Sequence, residues 1–151
     1  MAIFLVQHGR CFAKEDDPDR SLTPEGRQEI LKVAEQAAEA GVSVASICHS
    51  GKLRARQTAE LFAQTLKSGR IEGIDGIAPL DDVEAFVEHF HWPENTMIVG
   101  HLPFMERLAS YLLTGHPEPA VVKFQNAGIV CLEQGENQRW IVKWMIMPVI
   151  D

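Results

Sequence analysis

The chain has 151 residues, 46% hydrophobic and 23% charged, with 21 acidic residues against 14 basic ones and a net charge of -7. That length suits one compact domain, residues 1–151, able to bury a core of its own, and the acidic balance argues against nucleic acid as a partner, which would demand a basic stripe. The apolar start, Met1 to Val6, is too short for a signal peptide or for the roughly twenty apolar residues of a membrane span; three scattered cysteines (Cys11, Cys48, Cys131) without metal spacing suit a reducing, cytoplasmic setting.

Ile3 to Val6 reads as a short buried strand. Thr23-Pro24-Glu25 opens a helix, with Thr23 as N-cap and Pro24 at the first helical position. It runs towards Gly41, with Ile30, Ala34, Ala37 and Ala38 on one face. Val44 to Cys48 is a second strand, and a second helix starts near Lys52 with Ala55, Ala59, Phe62 and Leu66 on one face. Ile71 to Leu80 is ambiguous. Asp81 then opens a third, short helix in which Val83, Phe86, Val87 and Phe90 keep helical spacing. Thr96 to Val99 is another buried strand, and Pro103 starts a helix carrying Met105, Leu108, Ala109 and Leu112. Three strands close the chain: Val121 to Phe124, Ile129 to Leu132 and Trp140 to Met147, the last two as an antiparallel hairpin around Glu133 to Arg139. Alternating strands and helices predict a three-layer α/β sandwich, a mostly parallel sheet with an antiparallel edge.

Ligands in such sheets bind beyond the carboxyl ends of the strands. The first strand ends in Gln7-His8-Gly9-Arg10, the second in His49-Ser50-Gly51 with Arg54 a helical turn later, and the third in Gly100-His101. Two histidines and an arginine therefore converge on one edge. A neutral imidazole can attack phosphorus and carry the phosphoryl group. Arginine suits the equatorial oxygens of a phosphoryl group in transit, because it is always charged and presents a fork of donors.

Four segments, in order, resemble the histidine phosphatase superfamily. Val6-Gln7-His8-Gly9 is similar to its RHG signature, and Asp19-Arg20-Ser21-Leu22-Thr23-Pro24-Glu25-Gly26 to its next segment. Leu53-Arg54-Ala55-Arg56-Gln57-Thr58-Ala59 resembles its R-A-x-Q-T-A helix start, and Val99-Gly100-His101 its second histidine. The resemblance implies a phosphoglycerate mutase-like fold and a phosphatase in which His8 is the nucleophile. Arg54 and His101 would hold the phosphate, with Arg20 as a further contact, as in the small SixA-type phosphohistidine phosphatases. No cofactor is expected, and no metal is needed because arginines and histidines supply the positive charge. The short stretch between Phe62 and Met97 leaves little to roof the site, so the expected partner is a phosphorylated protein displaying phosphohistidine. A small phosphorylated metabolite is the alternative, and a phosphate-binding regulatory module that has lost turnover is a third reading.

Two departures stand out. Gln7 replaces the signature arginine, so a neutral donor stands among the phosphate-binding groups where a charge would be. No carboxylic acid falls in a motif either: Asp82 and Glu84, with Asp81 behind them, are the general acid candidates. A competing pattern is Cys48 to Arg54, which has the C-x5-R spacing of cysteine-dependent phosphatases at a strand-to-helix turn. It lacks the hydroxyl residue usual after that arginine, where Ala55 stands, and it leaves His8 and His101 unexplained.

Overall fold

The computed structural model describes residues 1–150. Strand β1 (Ala2–Gln7) is apolar on both sides: Ile3 and Leu5 enter one core, Phe4 and Val6 the other, none more than 4% exposed. A strand buried on both faces needs cover on both. Helices α1 (Pro24–Glu39) and α2 (Leu53–Leu66) lie over Phe4 and Val6, while α3 (Val83–His89) and α4 (Phe104–Thr114) lie over Ile3 and Leu5. Strands β2 (Ser46–His49), β3 (Ile71–Gly73), β4 (Thr96–Gly100), β5 (Ile129–Gln134) and β6 (Trp140–Ile146) complete a six-stranded sheet in the order β3-β2-β4-β1-β5-β6. The first four in that order run parallel, and β5 and β6 join antiparallel. This is the expected three-layer sandwich with a mostly parallel sheet and an antiparallel edge. Among the described residues, no helix is long and apolar enough to cross a membrane.

The start of α1 follows the sequence signals closely. Thr23 Oγ1 accepts from the Gly26 N–H at 3.0 Å, and Pro24 takes the first helical position. Gly26 also faces the backbone of Arg10, where an added Cβ would collide with the Arg10 carbonyl. Glycine thus lets the helix press against the loop that follows His8, which fixes the rim of the site.

Three expectations need correction. Val121 to Phe124 is not a strand. Its alternation is real, with Val122 and Phe124 buried and Val121 exposed, but both edges of β1 are taken by β4 and β5. The segment packs into the core beside α4, and the Val121 N–H donates to the Ser110 hydroxyl at 3.2 Å. Helix α3 begins one residue later than expected: Asp82 is its N-cap, while Asp81 accepts from the Ala78 N–H in the turn before it. The second strand starts at Ser46 rather than Val44. The ambiguous stretch contains β3, a three-residue edge strand with every residue exposed, which is why no burial pattern marks it.

Candidate active site

The sheet register builds the site. Gln7 ends β1 directly beside Gly100, the end of β4, so the next residues, His8 and His101, emerge side by side. The His8 N–H donates to the Gly100 carbonyl at 3.0 Å, and the two imidazole centroids are 5.1 Å apart. Next to β4, β2 ends at His49; a turn through Ser50 and Gly51 then starts α2, whose first turn carries Arg54. The loop after His8 brings Arg20 back over the same edge. Gln7, His8, Arg20, Arg54 and His101 line one open cleft of about 480 Å³, together with Arg10, Cys11, Pro79, Leu102 and Asn126.

His8 is poised as a lone-pair donor. Its Nδ1 lies 2.7 Å from the Gly9 carbonyl; a carbonyl only accepts, so Nδ1 holds the proton and Nε2 keeps its lone pair. Burial, joined by the Arg54 and Arg20 charges, pushes the His8 pKa down to about 4, against the opposing pull of the Gly9 hydrogen bond. The imidazole is therefore neutral near pH 7. The loop is pinned from two sides. The Gly9 N–H donates to Thr58 Oγ1 at 3.0 Å while the Thr58 hydroxyl donates to the Arg54 carbonyl at 2.7 Å. Asn126 Nδ2 donates to the His8 carbonyl at 2.9 Å.

His101 is 2% exposed, and its Nε2 lies 2.6 Å from Ser50 Oγ. Burial first, then the neighbouring His8, Arg54, Lys52 and Arg20, lowers its pKa to about 3. Arg54 is half-buried; burial and the adjacent Arg20 charge lower its pKa, yet guanidinium stays charged in proteins. Among the described residues, three buried side-chain atoms have no hydrogen-bond partner: Arg54 Nε, His101 Nδ1 and Gln7 Oε1. Unsatisfied buried polar atoms are rare and ask for a reason. Two guanidinium groups beside unpaired polar atoms, with no carboxylate in the cleft lining among the described residues, have the chemistry that a tetrahedral oxyanion would need.

The two imidazoles also make stability depend on pH. Unfolded, each takes up a proton near pH 6.5, whereas the folded rings resist until about 4 and about 3. The unfolded state binds more protons in that window, so stability falls as pH drops through it. Thermal unfolding across this range checks this: a His8→Gln/His101→Gln double variant is expected to show a flatter slope than wild type, and an unchanged slope contradicts it.

Arg20 has a left-handed backbone (φ 52) and its guanidinium donates to the Phe12 carbonyl at 3.4 Å and lies 3.5 Å from Cys11 Sγ. Among the described residues no carboxylate pairs with it, although acidic neighbours surround it in sequence; Asp17 instead accepts from both the backbone and hydroxyl of Ser21. Arg10 reaches the rim but is held by Glu29 through two bonds of 2.8 and 3.0 Å, so it does not replace the charge missing at Gln7. Asp82 and Glu84 do not line the cleft. Asp82 Oδ1 accepts from the Glu84 and Ala85 N–H groups as the α3 cap, and it faces a separate hollow along α3 shared with Asp75, Asp81 and Phe86. Glu84 lies with Asp81, Asp82 and Arg107 in a neighbouring groove that shares Pro79 with the cleft.

The Cys48 thiol is outside the cleft, 3% exposed on the α3–α4 side of the sheet, and burial beside Glu72 pushes its pKa up to about 11. A thiol so placed is no nucleophile. Sequence reasoning missed Thr58 and Asn126. Thr58 sits inside a quoted motif without an assigned role; Asn126 sits in an irregular loop with no motif. Among the described residues, no group of three or more His, Cys, Asp or Glu side chains is placed to hold a metal.

The chain is similar to known proteins in family and in fold. The family model described as the histidine phosphatase superfamily (branch 1) matches residues 3–78, half of the chain. An uncharacterized protein of Picosynechococcus sp. is 30% identical over 146 residues, covering 89% of this chain and 86% of the relative. Among solved structures, the protein histidine phosphatase SixA complexed with tungstate superposes with a TM-score of 0.81 at 24% identity, over 98% of this chain and 97% of that one. A phosphoserine phosphatase from Entamoeba histolytica in complex with 3-phosphoglyceric acid gives 0.69 at 16% identity, over 95% of each chain. These structural likenesses establish the phosphoglycerate mutase-like fold.

Proposed function

The chain belongs to the histidine phosphatase superfamily (branch 1), and we propose that it hydrolyses a phosphoryl group through a covalent phosphohistidine on His8, acting on phosphohistidine carried by another protein. The observation that carries the reading is the His8 ring itself: Nδ1 committed to the Gly9 carbonyl, Nε2 free, in a cleft lined by Arg54, Arg20 and His101. Nε2 bonds to phosphorus as the bond to the substrate nitrogen breaks. Arg54, Arg20 and His101 hold the equatorial oxygens as charge builds on them. Water then attacks phospho-His8, releasing inorganic phosphate and restoring the neutral ring.

The lining of the cleft supports an N-linked phosphoryl group. Among the described residues, no carboxylic acid lines the cleft to protonate a departing alkoxide, and in the empty cleft burial and the Arg54 and Arg20 charges lower the pKa of both imidazoles. The proton that the leaving group needs travels with the substrate, a demand that a departing imidazole meets far more easily than an alkoxide. Between α2 and β4 the chain supplies only β3 and the short α3, which leaves the mouth open to a partner protein. The SixA neighbour is itself a protein histidine phosphatase. Phosphate release from a phosphohistidine protein is expected to exceed release from sugar phosphates and phosphoserine by at least about a hundredfold in kcat/KM. Rapid turnover of a free phosphomonoester with none of the phosphoprotein would overturn the substrate assignment, and oxyanion binding without turnover of either would leave a binding module.

A further inference from the structure

The peptide unit between His8 and Gly9 is held at both of its polar ends by side chains from distant parts of the chain. Its N–H, on Gly9, donates to Thr58 Oγ1 at 3.0 Å, and its carbonyl, on His8, accepts from Asn126 Nδ2 at 2.9 Å. Both senses are fixed. A carbonyl only accepts, so the Asn126 amide turns its nitrogen towards it. The Thr58 hydroxyl spends its proton on the Arg54 carbonyl at 2.7 Å, which leaves a lone pair for the Gly9 N–H. Thr58 is fully buried in α2. Asn126 bridges Gln7 at the end of β1, where the next N–H, on Ala127, donates to the Gln7 carbonyl at 2.9 Å.

Gly9 gives this double hold a purpose. A Cβ added there would collide with Ile30 Cδ1 and crowd Leu22, so core packing favours glycine, the residue with the freest backbone. Yet the Gly9 carbonyl has one direction in which it must point, because it accepts the His8 Nδ1 proton at 2.7 Å. The hydrogen bond that one ring nitrogen makes sets which of the two carries the proton of a neutral imidazole. We propose that Thr58 and Asn126 are positioning residues that clamp the His8–Gly9 peptide, so that the Gly9 carbonyl keeps the His8 proton on Nδ1 and Nε2 stays free for phosphorus. This rests on the reading of His8 as the nucleophile and says what keeps it in its reactive tautomer. With the peptide released, the carbonyl tilts off the ring, the proton spreads over both nitrogens, and part of the population presents an N–H to phosphorus. The bond from Thr58 to the Arg54 carbonyl ties the same clamp to the turn of α2 that carries a phosphate-holding arginine.

Nitrogen NMR of the intact protein, labelled in its histidine rings, reads the tautomer directly. Trapping of labelled phosphoenzyme from a phosphohistidine protein reads the rate. Near neutral pH, wild-type His8 is expected to show a protonated Nδ1 and a bare Nε2. Thr58→Val, which deletes the hydroxyl at nearly constant shape, is expected to bring the two signals towards each other and to slow phosphoenzyme formation about tenfold to a hundredfold. Asn126→Ala should do the same from the other end, and Thr58→Ser, which keeps the hydroxyl, should restore both readouts. Since both side chains act on one peptide, the Thr58→Val/Asn126→Ala double variant should lose far less than the product of the single losses. A wild-type proton on Nε2, variants that keep the wild-type tautomer, a shifted tautomer with an undiminished rate, or losses that multiply in the double variant each overturn the clamp and leave His8 as the nucleophile. Where Thr58→Val does not fold, Asn126→Ala decides, since it removes a half-buried amide from a loop. Absence of label from the wild type overturns the nucleophile reading instead, and the tautomers of wild type and Asn126→Ala then decide the clamp by themselves.

Discussion

His8→Ala is expected to lower turnover of a phosphohistidine protein by at least about a thousandfold, because it removes the atom that forms the covalent intermediate. The variant is also expected to keep its affinity for inorganic phosphate within about tenfold, since Arg54, Arg20 and His101 do not depend on the ring for their positions. Backbone bonds hold the loop: the His8 N–H to Gly100, the His8 carbonyl to Asn126 and the Gly9 N–H to Thr58. None of these uses the imidazole. Losing turnover while retaining phosphate binding would separate a missing nucleophile from a collapsed site. Turnover within tenfold of wild type would mean that another group attacks phosphorus.

Arg54→Ala is the second large effect, with an expected loss of about a hundredfold to a thousandfold in kcat/KM, the usual scale for removing one preorganised donor to a developing charge. Arg54→Lys is expected to recover only part of it, because an ammonium group lacks the fork that spans two oxygens. In the empty protein Arg54 is half-buried, its Nε has no partner, and Arg20 is a like charge nearby. Removing it relieves repulsion and desolvation, so the Tm of ligand-free Arg54→Ala should match or exceed that of wild type, a cost carried for function. Activity lost together with a Tm several degrees lower would show that Arg54 is holding the fold instead.

Much of this architecture was legible because local signals and tertiary demands agree. β1 reads as continuous apolar residues, and burial on both faces is what such a run requires. Thr23 and Pro24 mark the helix start that the structure shows. The strand-end rule then located the edge on which His8, Arg54 and His101 meet, because register alone places consecutive strand ends together. What stayed hidden depends on partners distant in sequence. Val121 to Phe124 alternates like a strand but finds no free sheet edge. Asp82 is a carboxylate near the site in sequence, yet its oxygen is spent on capping α3. Asn126 contacts His8 across 118 residues and sits in no motif. The cysteine pattern at Cys48 is the sharpest lesson: its spacing fits, but a side chain on the far face of the sheet cannot reach the cleft.

The most direct test of the central claim is the chemistry of the trapped phosphoenzyme. Wild type, His8→Ala and Cys48→Ser proteins would be mixed with a radiolabelled phosphohistidine protein, quenched, and the enzyme-bound label followed in acid and in alkali. A label present in wild type and in Cys48→Ser, lost in acid, stable in alkali and absent from His8→Ala is the predicted result. A label that survives in His8→Ala and vanishes in Cys48→Ser would contradict it and move the nucleophile to the cysteine.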